Sequence, residues 1–391
     1  MRKDGKMEKA SAKDLLTRAT GVVCRQGMVP FPLSDAAVGI IRIVAGSEQD
    51  ELALICAFEA GASLTLDQLS AASGFDPDKA ERLADALAKK GLVFNQPSSA
   101  GVKVFRLMPF MIVGLMEYLF MGELTGSDEE KELARLFEQM VGQLRAQTQE
   151  NYEQMVPLFE KMKATDRTVP LQNTSSGKPV TLIPVDKGIT VPDEVILPSQ
   201  SVDEIIDKFD DIAVGYCFCR QRRKALGGSC STDAPGLNCF TFGKSARYTS
   251  AQGFARKVSK TEARQIMAQA EDAGLVHKAF HPGSREERLE TSICNCCKDC
   301  CDTMNLWRSG TTPLVNSTYH LAVVDTGGCT GCGTCEELCP TEAIRVTNNG
   351  TAEVDDMSCF GCGVCARFCP ETAISLKQGL RRVFILPPRL R

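Results

Sequence analysis

No apolar run in this sequence is long enough to cross a bilayer. The strongest candidate, LMPFMIVGLMEYLFMG at 107–122, falls short of about 18 residues and carries Glu117, so a buried or amphipathic helix is expected there. The opening MRKDGKMEKASAKDLLTRATG has basic residues with no apolar stretch behind them and gives no secretory signal. Positive charge is not in excess. The 45 Lys and Arg stand against 49 Asp and Glu, a net −4, which argues against a strongly cationic nucleic-acid binder. There is no nucleotide-binding glycine loop, no catalytic triad and no flavin signature. A cytoplasmic protein without a membrane span is expected. Hydrophobic residues make up 43%, enough for a substantial core, and the length suits two or three domains.

Cysteine is also scarce over the first half. Only Cys24 and Cys56 precede residue 217, and the other seventeen of nineteen fall between Cys217 and Cys369. Isolated among apolar neighbours, Cys24 and Cys56 read as core. A secreted disulfide framework would need an export signal and an oxidising compartment. Clustered thiols in a reducing compartment read instead as metal or iron–sulfur ligands.

The first half is punctuated like a helical domain. EQDELALICAFEAG predicts a helix ended by Gly61, and Thr65 with Gln68 forms a capping box for a second. Asp76 as N-cap, Pro77 at the first position and Gly91 as the stop bound a third. LVFNQ and VKVFRL then predict two short strands. Helix, helix, helix, hairpin is the order of a winged helix, and the stretch resembles winged-helix domains. Its charge is balanced, with ten acids and seven bases over residues 35–107, whereas a phosphate-binding face needs an excess of Lys and Arg. A packing or partner module is therefore expected rather than a DNA reader. Ser127 and Glu130 open a charged amphipathic helical region to about Ala164. The Pro, Gly and Thr content of 166–200 predicts a linker with short extended pieces, VTLIPV and EVILP. Ser201 and Glu204 cap another helix, and DIAVGYCFCR predicts a strand delivering Cys217 and Cys219.

Two internal copies dominate the C-terminal part. CTGCGTCEELCPTEAI from 329 and CFGCGVCARFCPETAI from 359 agree at nine of sixteen positions, and both carry C-x₂-C-x₂-C-x₃-C-P. Three cysteines in a tight glycine-rich loop wrap one face of a cubane, and the fourth ligates the cluster of the other copy. Cluster one is then assigned to Cys329, Cys332, Cys335 and Cys369, and cluster two to Cys359, Cys362, Cys365 and Cys339. The stretch from about 319 to 378 resembles the bacterial two-cluster ferredoxins, with a hairpin turn expected at Asn349-Gly350. Zinc held by paired knuckles does not need this compact duplicated order. Fully thiolate-ligated cubanes exchange only electrons. From Asp325 to Glu371 there are eight acids and two bases, a surface suited to basic patches on a redox partner. The basic tail, with Lys377, Arg381, Arg382, Arg389 and Arg391, is either a strap or a solvated end.

Nine cysteines remain: Cys217, Cys219, Cys230 and Cys239, then Cys294, Cys296, Cys297, Cys300 and Cys301. Between the groups, Ser259 with Glu262 and then Gly274 bound one helix followed by a return. Successive cysteine side chains diverge, so the run TSICNCCKDCC is expected to face two metal sites. Two further cubanes, one cubane with or without a zinc, zinc alone, or a cluster with an open iron all remain open. Residues 205–301 resemble a cysteine-rich domain found beside ferredoxin modules in proteins of anaerobic bacteria, matched at Cys217, Cys219 and Arg220, at Gly274–His277 and at Ile293–Cys297. Lys298 and Asp299 depart from its pattern. That resemblance implies iron–sulfur ligation without specifying which thiol serves which cluster. Arg220, Arg222, Arg223 and Lys224 either favour thiolate or form a solvated face. His277 and His281 are expected in supporting or surface roles rather than as ligands.

The expected class is α+β multidomain, with a winged-helix-like N-terminal domain, a cysteine-rich α/β central domain and a C-terminal ferredoxin-like 2[4Fe–4S] domain. The boundaries are 1–34 as an extension, 35–125, 126–200 as helical region and linker, 201–310 and 311–391. The expected function is electron relay through two [4Fe–4S] clusters, with one or two more in the central domain, to or from an oxidoreductase partner. A redox-sensing winged-helix regulator and a reductase with an open-iron cluster are the rivals.

Overall fold

The computed structural model describes residues 12–27, 31–46, 48–98, 100–184, 201–281 and 289–390. The expected extended piece EVILP lies outside them. The chain divides into two compact units, the described residues up to Leu144 with Ala251–Phe254, and the remainder from Arg145 onward.

The first unit begins with α1 (Ala12–Cys24), so the expected extension supplies a helix of its own, with Ala19, Val22 and Val23 buried. There follow α2 (Asp35–Ala45), α3 (Gln49–Ala57), β1 (Ser63–Thr65), α4 (Leu66–Ser73), α5 (Pro77–Lys89), β2 (Val93–Phe94), β3 (Val104–Leu107), α6 (Leu115–Met121) and α7 (Asp128–Glu150), within which the division falls. The caps are those the sequence dictates. Thr65 and Gln68 form the reciprocal box, and the Asp76 carboxylate accepts from Lys79 N at 2.9 Å. The three strands form one small sheet in the order β1-β3-β2. The apolar run at 107–122 yields only the seven-residue α6. The turn before it is held by the Glu117 carboxylate, which accepts from the backbone N–H of Ile112, Val113 and Gly114.

The second unit contains α8 (Tyr152–Glu160), β4 (Asp166–Val169), β5 (Leu182–Ile183), α9 (Val202–Asp207), β6 (Ile212–Tyr216), α10 (Phe218–Ala225), β7 (Leu237–Phe242), α11 (Lys244–Ala251), β8 (Arg256–Lys257), α12 (Lys260–Asp272), β9 (Val276–Phe280), β10 (Ser292–Cys296), α13 (Asp302–Arg308), β11 (Leu314–Val324), α14 (Thr334–Leu338), β12 (Ile344–Val346), β13 (Ala352–Val354), α15 (Val364–Arg367) and β14 (Ile374–Ile385). Nine strands form one mixed sheet in the order β5-β14-β11-β4-β9-β10-β7-β6-β8. The long antiparallel pair β11–β14, which brackets the two cysteine repeats, is therefore continuous with the strands that carry the central cysteines. β12 and β13 form the separate hairpin between the repeats, with Gly350 at its turn.

The joining strand is β4, from the segment whose composition predicts a linker. It pairs antiparallel with β9 and parallel with β11. All four of its residues are buried although two are charged. Each charge meets an opposite one. Asp166 Oδ2 lies 3.1 Å from Lys278 Nζ and accepts from Asn316 Nδ2 at 2.7 Å, while Arg167 Nη2 donates to Glu290 Oε1 at 2.8 Å and its Nε to His281 Nε2 at 3.1 Å. An apolar core of Ile205, Ile212, Val214, Phe240, Phe242, Ile266, Met267 and Ile293 packs α9 and α12 onto the strands from β6 to β10.

Three cations of the basic tail act as a strap, and Arg391 lies outside the described residues. Arg381 Nη1 donates to Cys359 O at 3.2 Å and Nη2 to Asp356 O, while Arg382 Nη2 donates to Met162 O at 2.7 Å and Arg389 pairs with Glu153 at 2.6 Å. Trp307 Nε1 and Tyr152 Oη donate to the carbonyls of Leu386 and Pro387.

Glu290→Ala leaves Arg167 buried without its carboxylate and is expected to cost about 3–5 kcal/mol in chemical denaturation followed by circular dichroism. The charged neighbours Arg167 and Lys208, with backbone hydrogen bonding, overcome burial and hold the Glu290 carboxyl below its usual range. Its contribution is therefore fully present above the ordinary carboxylate pKa and is lost as pH falls through the folded one. The variant should show a flatter acid limb than the parent.

Candidate metal centres

Each cysteine repeat is built by glycines in the left-handed region. Gly333 (φ +82°) and Gly363 (φ +78°) are the N-caps of α14 and α15, placing Cys335 and Cys365 in the first turns of those helices. Gly361 (φ +61°) lies so close to β11 that a Cβ there would sit 2.1 Å from His320 O. Only glycine allows that approach.

The repeats create two cages. One is lined by Cys329, Cys332, Cys335 and Cys369 with Val346, Ala352 and Ile374 among its apolar walls. The other is lined by Cys339, Cys359, Cys362 and Cys365 with Ala322, Ile344 and Phe360. Each therefore takes three thiols from one copy and one from the other. Backbone N–H groups point at sulfur in matching positions. Ala343 N donates to Cys339 Sγ (3.2 Å) and Ala373 N to Cys369 Sγ (3.4 Å), while Ala352 N and Gly361 N donate to Cys329 and Cys359. Four thiols, N–H donors to sulfur and dry walls fit a thiolate-ligated cubane. Burial differs between the cages. Cys332 is exposed and Cys329 and Cys369 half-buried, whereas Cys339, Cys359, Cys362 and Cys365 are all buried.

The nine central cysteines separate into groups. Cys217 is the N-cap of α10 and Cys301 that of α13, with Cys219 in the first turn of α10. Hydrogen bonds link the Cys217 thiol to Cys219, Cys219 to Cys301, and Cys301 to Cys296. Asp302 N also donates to Cys219 Sγ at 3.3 Å. Helix N-termini favour thiolate, and the hydrogen bonds from Cys219 and Cys296 hold the Cys301 thiol well below its usual range. Cys239 and Cys294 face each other across β7 and β10. Cys230, Cys297 and Cys300 form a separate triad with all three sulfurs within 4.8 Å of one another. Thus Cys296 and Cys297, and likewise Cys300 and Cys301, turn to different groups.

Two groups near these thiols escape sequence reading. Lys278 is fully buried on β9. Burial alone would lower its pKa, but Asp166 and the thiols of Cys296 and Cys301 raise it, so it stays charged. Phe360 belongs to one apolar cluster with Cys296, Cys301, Met304 and Cys362, which joins the central thiols to the buried cage. Lys278 Nζ lies 6.0 Å from the centre of the Phe360 ring. A lysine between His277 and Ala279 in VHKAF carries no local signal of that position.

The basic run after Cys219 is mostly engaged. Arg222 Nη2 pairs with Asp302 at 2.5 Å and Arg223 Nη1 with Asp299 at 2.7 Å. Arg220 Nη1 donates to the carbonyls of Ala234 and Pro235. His277 contacts Asn295 through Nδ1 and Glu271 through Nε2, and His281 accepts from Arg167, so the described histidine contacts are structural.

A family model described as a 4Fe-4S dicluster domain matches residues 322–376. Those residues are a 4Fe-4S domain, and the cofactors are [4Fe–4S] clusters. No curated protein and no solved structure matches the chain. Among the described residues, no helix is long and apolar enough to cross a membrane.

Gly361→Ala is expected to lose about four irons per chain relative to the parent, read by iron and acid-labile sulfide analysis after anaerobic purification. Gly333→Ala, which meets no atom within 4 Å, is expected to keep its iron with a strain of about 1–2 kcal/mol.

Proposed function

We propose that the protein is a cytoplasmic electron carrier, or the electron-transfer subunit of an oxidoreductase, with at least three iron–sulfur clusters in series. Cluster one is held by Cys329, Cys332, Cys335 and Cys369, and cluster two by Cys359, Cys362, Cys365 and Cys339. A third is held by Cys217, Cys219, Cys296 and Cys301. Such clusters supply reversible one-electron transfer. The observation that carries the reading is the gradient of burial. It runs from exposed Cys332, through the buried cage, to Cys296 and Cys301, which share an apolar cluster with Cys362 and Phe360. The chain's own residues do the rest. Exposed acids around Cys332, Glu336 and Glu337 among them, attract a basic partner surface. Phe360, Met304 and Leu171 exclude water from the inner contact, and Lys278 offsets the negative charge of the inner thiolates.

The segment from α3 to β3 is read as winged-helix-like and as a partner module. Three of its six cations are paired with acids. Lys79 pairs with Asp50 at 2.7 Å, Lys90 with Glu51 at 2.6 Å, and Lys103 with Glu81 at 2.6 Å. Phosphate binding would have to break these pairs.

Anaerobic purification should give about twelve irons per chain; about eight would remove the third cluster. In a redox titration followed by electron paramagnetic resonance, Lys278→Met should lower one midpoint potential by on the order of 50 mV, because a buried cation favours the extra electron. A shift spread equally over all signals would overturn the placing of the third cluster beside Lys278.

A further inference from the structure

The triad Cys230, Cys297 and Cys300 differs from the cages of the cysteine repeats in scale. Cys230 Sγ and Cys297 Sγ are 3.6 Å apart, and all three sulfurs lie within 4.8 Å of each other. Four sulfurs at about 2.3 Å from one tetrahedral ion stand about 3.8 Å apart, whereas thiols on separate irons of a cubane are wider, on the order of 6 Å. The molecule provides its own comparison. Cys217, Cys219, Cys301 and Cys296 meet only pair by pair along a chain, and among the described residues no three of them, and no three of the eight repeat cysteines, come as near as this triad.

The local structure is that of a metal knuckle. Cys297-Lys298-Asp299-Cys300 is a C-x₂-C turn in which Cys300 N donates to Cys297 Sγ at 3.0 Å. The third thiol arrives on the loop after α10. Asp299 clasps that loop without joining the triad. Its Oδ2 accepts from Ser231 N at 2.7 Å, next to Cys230, and its Oδ1 from Arg223 Nη1 at 2.7 Å. Lys298 Nζ donates to Glu337 O at 2.6 Å, fixing the back of the knuckle. No fourth Cys, His, Asp or Glu atom completes the group among the described residues. Beside it lies Arg220, whose guanidinium hydrogen-bonds the Cys230 thiol and lies near those of Cys217 and Cys297.

We propose that Cys230, Cys297 and Cys300 bind a single zinc ion rather than an iron–sulfur cluster, with a fourth position left to water or a small anion beside Arg220. Three thiolates on a divalent ion leave a net −1, which the neighbouring guanidinium of Arg220 offsets, and the same guanidinium can donate to an anion on the ion. Three protein ligands and one exchangeable position are the pattern of an open zinc site. The site does not depend on the electron-transfer reading.

The test is metal analysis and zinc-edge X-ray absorption on the full-length protein purified without oxygen. One zinc per chain is expected, with three sulfur neighbours at about 2.3 Å and one nitrogen or oxygen at about 2.0 Å. A chelator should remove the zinc while iron, sulfide and the paramagnetic signals stay. Cys297→Ser should lose the zinc. Asp299→Asn, a positioning residue, should weaken zinc binding by about 10–100-fold in chelator competition with iron unchanged. Absence of zinc with iron near sixteen, four sulfur neighbours, or full zinc retention in Cys297→Ser would each overturn the proposal. If a variant does not fold, the spectrum of the parent protein alone decides. Loss of iron while zinc remains would count against the relay and not against this site.

Discussion

Anionic sulfur gathered out of water is the constraint on which the second unit depends. A thiolate in a low-dielectric interior needs donors or positive charge within reach. The chain meets that need with very few charged side chains. Backbone N–H groups serve Cys329, Cys339, Cys359 and Cys369, and the starts of α10 and α13 serve Cys217, Cys219 and Cys301. Among the central thiols buried cations are added: Lys278 beside Cys296 and Cys301, and Arg220 beside Cys217, Cys230 and Cys297. Each is held by fixed partners, Lys278 by Asp166 and Arg220 by two carbonyls. Their charges are set in place before any metal arrives.

The same economy explains the sheet. β4 lies between the strand carrying Lys278 and the strand that opens the repeats; its two charges pair with Lys278 and Glu290 on the β9–β10 side, and Asp166 also accepts from Asn316 on β11. Such pairs add little net stability compared with an apolar core but penalise any other register, because a slip leaves a charge buried alone. The inner cage and the central thiols thus keep a fixed relation through Phe360.

What could be read from sequence follows the range of the interactions. The eight repeat cysteines, the hairpin turn at Gly350 and the caps at Thr65 and Asp76 are local in sequence, and the spacing alone places them. The divergence of adjacent cysteines is likewise a property of neighbouring residues, and it anticipates two directions for TSICNCCKDCC. The partition of the nine central thiols is not local. It depends on α10, β10 and α13 meeting, which is decided by strand order. β4 was illegible because its buried residues are Asp and Arg, which look like surface, and their partners lie more than a hundred residues away. α1 was hidden by a polar opening, although Leu16, Ala19, Val22 and Val23 share one buried stripe. The 145–165 region belongs to the second unit and is bound by the returning tail, through Gln149, Tyr152, Glu153 and Met162, contacts made from Arg382 onward.

The position of β4 in the chain sets an order of events during synthesis. It leaves the ribosome more than a hundred residues before β9 and about a hundred and fifty before β11, its two neighbours. Until both exist, Asp166 and Arg167 remain hydrated and the sheet cannot close. The central cysteines up to Cys301 emerge before either repeat is made. Any metal bound at that stage meets thiols whose apolar cover, Phe360 included, has not yet been translated. The segment from Arg381 onward, which binds the region around Tyr152, emerges after both repeats.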